Sequence, residues 1–306
     1  MEKFVIVRSN RLNAFGTKIN SDFCRVINMF NDLNKIDEYE REIRLFFHMK
    51  MPANLFNKNL IGLKEENIIV FDGHVRIDFL IWLKMNNPDK RIILWLWNTV
   101  DEIKNNLDLH KVPKGIEIWS YSKYDCEKYN YNYNSTFFWD RKSKLDGTTT
   151  KDLYFIGKDK GRLSKIKHID ELCKKRGIKF EYHVTKTHWY SLDKREYKKG
   201  ISYSEVQKNI ASSKGVLDIK VSETAGPSLR ALEAVFYNKK LVTDDKGVMD
   251  FKFYNKSNVF ILGIDNTNNL LEFLDGPVMP IKNEDVEYYN VNNWLSRFCS
   301  VKGEIK

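Results

Sequence analysis

Two patterns of apolar residues alternate along this chain. The runs "KFVIVRS", "NIIVFDG", "RIILWLWN" and "GIEIWSYS" are short and apolar-rich and read as strands, "NIIVFDG" as one buried on both faces. Between them, Lys18 to Asn34 and "VRIDFLIWLKMNN" space their apolar residues by three and four, which predicts helices, and "IRLFFHM" reads as another strand. A polar, tyrosine-rich stretch without period follows, with a linker near Asp140 to Lys151; its aromatic run 129–139 is expected to pack on domain surfaces. The rhythm then restarts, with strands expected at 152–157, 178–185, 215–221, 240–244 and 258–263. Helices are expected at 162–176, 203–213, 228–238 and 267–274, and the tail "VEYYNVNNWLSRF" has the spacing of a closing helix.

Strands alternating with helices predict an α/β fold with parallel sheets, and the restart predicts two Rossmann-like domains in tandem. The expected boundaries are 1–145 and 152–285, with 286–306 as a helix packing back toward the first domain. Loops at the carboxyl ends of parallel strands make ligand sites, so the two domains are expected to face a central cleft.

Charge sharpens this picture. The net charge of +10 is concentrated: residues 151–200 hold 15 basic and 7 acidic groups, against 23 and 20 in residues 1–150 and 13 and 14 in residues 201–306. Such a patch suits a phosphorylated ligand, nucleic acid or an anionic membrane surface, and equally a solvated lysine-rich face. The four cysteines have neither CxxC spacing nor a histidine pair nearby, so neither zinc nor a disulfide framework is implied. No apolar run approaches a membrane span and the first residues lack a secretion signal, so a cytoplasmic protein is expected.

Three motifs carry candidate chemistry. In "FIGKDKGR", Gly157 and Gly161 allow a tight turn, and Lys158, Lys160 and Arg162 bring positive charge to a helix N-terminus that already favours anions. The sequence is neither GxGxxG nor GxxxxGK[ST]. In "SETAGPSLRALEA", Gly226, Pro227 and Ser228 open a helix on which Arg230 and Glu233 lie three apart. That spacing fits a surface ion pair; it also fits an arginine on phosphate with a glutamate accepting from ribose hydroxyls. In "VFDGHVRID", Asp72 ends a buried strand and is either a general base, a role also open to His74, or the cap of the next helix. Asn98 ends another strand and could reach the same edge. No metal-ligand set is present, and Asp244–Asp245 is not a DxD.

The chain resembles bacterial GT-B glycosyltransferases of capsular and lipopolysaccharide synthesis, which carry a strand ending in F-x-G-K-x-K-G-R. The resemblance runs through "DLYFIGKDKGRLSKI", "ISYSEVQKNIASSKGVLDI", "GPSLRALEAVFYNKKLVT" and "FYNKSNVFILG", and more loosely through "IIVFDG" and "IILWLWN". It implies a nucleotide-sugar donor, a UDP-sugar above all, bound mainly by the second domain, a saccharide or lipid-linked acceptor bound by the first, and no obligatory metal or cofactor. Gly157, Lys158, Lys160, Gly161, Arg162, Tyr203, Glu223, Gly226, Ser228, Arg230 and Glu233 would serve the donor, Asn98 the acceptor, and Asp72 and His74 catalysis. Many retaining relatives carry a glutamate eight positions before the ribose-binding one; here that position is Ala225, with Glu223 two residues earlier, which points toward an inverting mechanism. The protein would then work at the inner face of the membrane, in peripheral contact with anionic lipid. Two other readings share these features: a sugar-nucleotide epimerase of the same architecture, and a non-catalytic nucleic-acid binder using residues 151–200. The converging glycine turns disfavour the second.

Overall fold

The structure is a computed structural model describing residues 3–9, 19, 21–47, 49–139, 147–187, 191–192, 194–222 and 225–299. It divides into two compact units, Met1–Ser135 with Val291–Lys306, and Thr136–Asn290. Both are α/β with a wholly parallel sheet, as the alternating pattern predicts.

In the first unit the elements are β1 (Phe4–Arg8), β2 (Cys24–Asn28), α1 (Lys35–Phe46), β3 (Asn67–Phe71), α2 (Ile77–Asn86), β4 (Arg91–Leu96), α3 (Val100–Ile103), β5 (Ile116–Ser120), α4 (Lys123–Tyr129) and β6 (Asn132–Tyr133). The described strands run in the order β2-β1-β3-β4-β5-β6. The apolar runs of β1 and β3 are buried along their whole length, because helices cover both faces of a parallel sheet. The chain steps from β1 to β2 on one side and then returns to place β3 on the other. This reversal opens a crevice beyond the carboxyl ends of β1 and β3, where open α/β sheets bind ligands.

The second unit contains β7 (Lys151–Lys158), α5 (Leu163–Lys175), β8 (Phe180–Thr185), α6 (Tyr203–Ala211), β9 (Ser213–Asp218), α7 (Leu229–Phe236), β10 (Lys240–Thr243), β11 (Val259–Ile261), α8 (Leu270–Asp275) and α9 (Asn283–Glu287). Its sheet runs β11-β10-β9-β7-β8, so the same reversal falls between β7 and β9. α6 opens on a capping box in which Ser202 and Glu205 satisfy each other's backbone amides, and α7 opens on Ser228, whose Oγ accepts from the Ala231 amide at 3.2 Å. The last helix, α10 (Val291–Cys299), belongs to the first unit. There Trp294 meets Trp95 at 5.3 Å and Phe71 at 6.2 Å, while Phe298 meets Trp119 at 4.7 Å, all edge to face.

Three local expectations fail, for related reasons. Lys18–Asn34 is not a helix: its described part contains β2. Phe23, Val26, Ile27 and Phe30 do have helical spacing, but "CRVIN" pairs with β1 from Phe4 to Arg8 and sheet pairing overrides the local period. "IRLFFHM" is not a strand; Ile43 to Phe46 form the last turn of α1, whose Asn34 cap accepts from the Asp37 amide at 2.9 Å and whose Arg44 pairs with Glu40. The aromatic run is not only a surface linker either. Phe137, Phe138 and Trp139 are fully buried in the second unit, with Phe138 at 4.6 Å from Phe236 and Trp139 at 5.6 Å from Tyr203. The expected linker at 140–146 and the tail beyond Cys299 lie outside the described residues.

Because Trp294 is wholly buried among aromatic rings that hold α10 on β3, β4 and β5, Trp294→Ala should cost about 3–5 kcal/mol. The expected result is a large loss in urea midpoint; an unchanged unfolding curve would mean that α10 adds nothing to the unit.

Candidate functional site

In the second unit the crevice lies beyond β7 and β9, and the "FIGKDKGR" turn forms one of its walls. Successive residues alternate faces along a strand, so Phe155 and Gly157 share one face of β7. The guanidinium carbons of Arg162 and Arg230 lie 5.3 and 5.2 Å from the centre of the Phe155 ring. A Cβ on residue 157 would stand 3.0 Å from Arg230 Nη1 and 3.1 Å from Arg162 Nη2. Glycine leaves room there for two cations to approach the strand, and a larger residue would displace their heads by a few tenths of an ångström. Gly161 has a different task, adopting φ 81° directly after Lys160 at φ 43°, two successive left-handed residues that turn the chain into α5.

Arg162 is buried and acts as a staple across the crevice floor. Its Nη2 donates to the Lys158 carbonyl at 2.6 Å, Nη1 to the Ile219 carbonyl at 2.8 Å and Nε to the Asp159 carbonyl at 3.3 Å, joining the ends of β7 and β9. Arg230 Nε donates to Asp218 Oδ1 at 3.0 Å and Nη1 to the Ile156 carbonyl at 3.2 Å. Lys158 and Lys160 are exposed on the turn, and the Lys160 amide donates to Thr187 Oγ1 at 2.7 Å.

The surface ion pair allowed by the spacing of Arg230 and Glu233 does not form. Arg230 turns to Asp218, and Glu233 is buried between α6 and α7, hydrogen-bonded by Tyr203. Tyr203 Oη also lies 3.3 Å from Tyr237 Oη, to which Gln207 donates at 2.8 Å. Burial pushes the Glu233 carboxyl up to about 7, against the pull of the Tyr203 hydrogen bond and the Arg230 charge. Gly226 lies half-buried before the helix, Ser228 is spent as the α7 cap, and Glu223 lies outside the described residues.

Two carboxylates in this unit escaped the sequence reading. Asp218, at the end of β9, holds Arg230; in "VLDIK" nothing separates it from the strand before it. Asp159, inside the lysine-rich turn, accepts from the Leu163 amide at 2.8 Å, Tyr197 Oη at 2.6 Å and Lys194 Nζ at 3.1 Å. Burial would raise its pKa, but these donors outweigh burial and hold it below the ordinary range. The four-residue spacing from Asp159 to the first turn of α5 was its only sequence signal.

In the first unit, Asp72 follows β3 at the crevice edge, one strand from Arg8, the buried last residue of β1. The Asp72 carboxylate does not cap α2, whose N-cap is Arg76. It accepts instead from the Asn98 amide at 3.0 Å and from Asn98 Nδ2 at 3.2 Å, so the structure brings these two candidates together. Burial raises its pKa to about 6, opposed by the Asn98 and Trp97 hydrogen bonds. His74 is exposed, at φ 62°. A polar cavity of about 670 Å³ on the open edge of this sheet, lined by Arg25 to Asn28, Asn57 to Asn59 and Ile61 to Glu65, includes none of the candidates. Among the described residues no group of three or more His, Cys, Asp or Glu could hold a metal, and no helix is long and apolar enough to cross a membrane.

No protein-family model and no curated protein matches the chain. Solved structures with some likeness include a UDP-N-acetylglucosamine 2-epimerase (TM-score 0.43, 11% identity, 100% of this chain and 99% of that one). Others are an α1,3-fucosyltransferase with GDP (0.42, 9%, 97% and 90%) and a Listeria monocytogenes protein provisionally named a UDP-N-acetylglucosamine 2-epimerase (0.46, 9%, 98% and 95%). Likeness at this level carries no information about the reaction.

The Glu233 carboxyl binds its proton up to about pH 7 when folded and up to its ordinary 4.5 when unfolded, so the native state holds the extra proton in that window. Stability therefore falls as pH rises through it, by on the order of 3 kcal/mol. Glu233→Gln should flatten that fall, seen as a smaller drop in thermal midpoint between pH 5 and 7.5; parallel curves for the two proteins would show that Glu233 is ionised throughout.

Proposed function

We propose that the protein is a nucleotide-sugar-dependent glycosyltransferase of GT-B type, with the donor bound by the second unit and the acceptor by the first. The observation that carries the reading is the pair of guanidinium groups fixed at Gly157, at the strand-order reversal of the second sheet. A nucleoside diphosphate leaving group accumulates charge as the glycosidic bond breaks. Fixed donors at the carboxyl ends of β7 and β9, with Lys158 and Lys160 on the adjoining turn and the α7 N-terminus at Gly226 to Ser228, suit that charge. In this assignment Glu233 accepts from the ribose. The ribose hydroxyls replace Tyr203 as donors, so Tyr203 gives way when nucleotide binds.

Asp72 serves as base. Its pKa near 6 lies close to the working range of a general base, and Asn98 orients the carboxylate. The acceptor hydroxyl then attacks the anomeric carbon directly, its proton passes to Asp72 and the nucleoside diphosphate departs, an inverting displacement. A UDP-sugar donor, a lipid-linked saccharide acceptor and a place in surface-polysaccharide synthesis are supported by the motif resemblance alone.

Calorimetry with UDP and GDP tests the donor half. Arg230→Lys keeps a charge beside Asp218 but loses the fork, and Glu233→Ala loses the ribose acceptor; each should weaken one selected nucleoside diphosphate tenfold or more, about 1.4 kcal/mol per decade. Unchanged affinity in both would remove the donor assignment.

Asp72→Asn tests the catalytic half. It should abolish sugar transfer while leaving nucleotide affinity within twofold. Retained transfer would leave Asp72 a purely structural partner of Asn98, and turnover of the donor with no acceptor present would identify an epimerase instead.

A further inference from the structure

Helix α1 is built inside out. Along its 12 residues Ile36, Tyr39, Ile43 and Phe46 follow the three-four-three spacing of a helix–helix seam. These four and Phe47, just past the helix end, are 51–78% exposed. The side facing the unit holds Arg41 instead, buried with its guanidinium 5.5 Å from the Phe30 ring, and the half-buried Leu45. A surface helix normally turns its apolar stripe to the core.

With Met49, these side chains expose on the order of 800 Å², about one partner's share of a stable interface and above the apolar patch a monomer usually leaves. We propose that α1 pairs with α1 of a second copy of this chain in an antiparallel, two-fold contact. A surface matched to itself closes as a symmetric dimer. The acidic residues Asp37, Glu38, Glu40 and Glu42 precede Arg44 and Lys50 along the chain. Antiparallel packing sets the last turn of one helix, where Arg44 also pairs with Glu40 of its own chain, beside Asp37 and Glu38 in the first turn of the other. A lipid surface fits less well, because four carboxylates on a helix with three basic residues are repelled by anionic headgroups.

Sedimentation equilibrium of the full chain at tens of micromolar should give twice the monomer mass of 36.3 kDa. In Ile36→Glu/Ile43→Glu, both exposed positions, the dimer should dissociate at least tenfold more readily, with far-ultraviolet circular dichroism unchanged. Oxidation should link Ile36→Cys/Phe46→Cys chains across the dimer and leave Ile36→Cys alone unlinked through that position. A monomeric wild type, a dimer that survives the double glutamate variant, or a monomer that co-sediments with phosphatidylglycerol vesicles would each overturn the proposal.

Discussion

Two like charges held together on one aromatic ring determine the shape of the second unit's crevice. Arg162 and Arg230 both stack on Phe155 and both crowd the bare α-carbon of Gly157, while one carboxylate, Asp218, faces Arg230. Backbone carbonyls of Ile156, Lys158, Asp159 and Ile219 take up other donors. Carbonyl dipoles stabilise a guanidinium without cancelling its charge. The pair is therefore held rigidly at the carboxyl ends of β7 and β9, with its donors already oriented. A side chain at 157 would push the cations away, and loss of Arg162 would release the carboxyl ends of β7 and β9 from each other.

The place of this pair follows from topology. Each sheet starts with a strand that ends up flanked on both sides, β1 in one unit and β7 in the other, and each leaves its crevice at the end of that strand. Yet the two crevices differ in character. The second gathers guanidinium and ammonium groups on a tight turn, whereas the first offers a buried carboxylate, Asp72, steadied by an amide.

Much of this was legible in the sequence, and the limits have physical causes. β1, β3, β4 and β7 could be read because a strand buried on both faces carries an unbroken apolar run. β2 and α1 could not, since their environments are set by partners distant in the chain. β2 is an edge strand with helical spacing, and α1 exposes the residues that a pattern reading assigns to a core. In the site, the cationic turn and the α7 opening were visible as motifs. Asp218 and Asp159 were not, because a buried acid in a strand end or a lysine-rich turn has no local signature, and each acquires its meaning only from the side chain it meets.

Asp72 and Glu233 are two buried carboxyl groups held by different kinds of donor. Both are almost fully buried and both are pushed upward, yet their surroundings differ. Asp72 receives a backbone amide and a side-chain amide from Asn98, donors that cannot themselves ionise and that favour the carboxylate form, so its rise stops near 6. Glu233 has the Tyr203 phenol and the charge of Arg230 favouring ionisation, with Asp218 nearby opposing it, and burial raises it to about 7. A carboxylate that must take a proton and pass it on needs donors that stay fixed, while one that serves as a hydrogen-bond acceptor needs a donor that can be exchanged. The amide at Asp72 satisfies the first requirement and the phenol at Glu233 the second, which supports the proposal that catalysis belongs to the first unit and ribose recognition to the second.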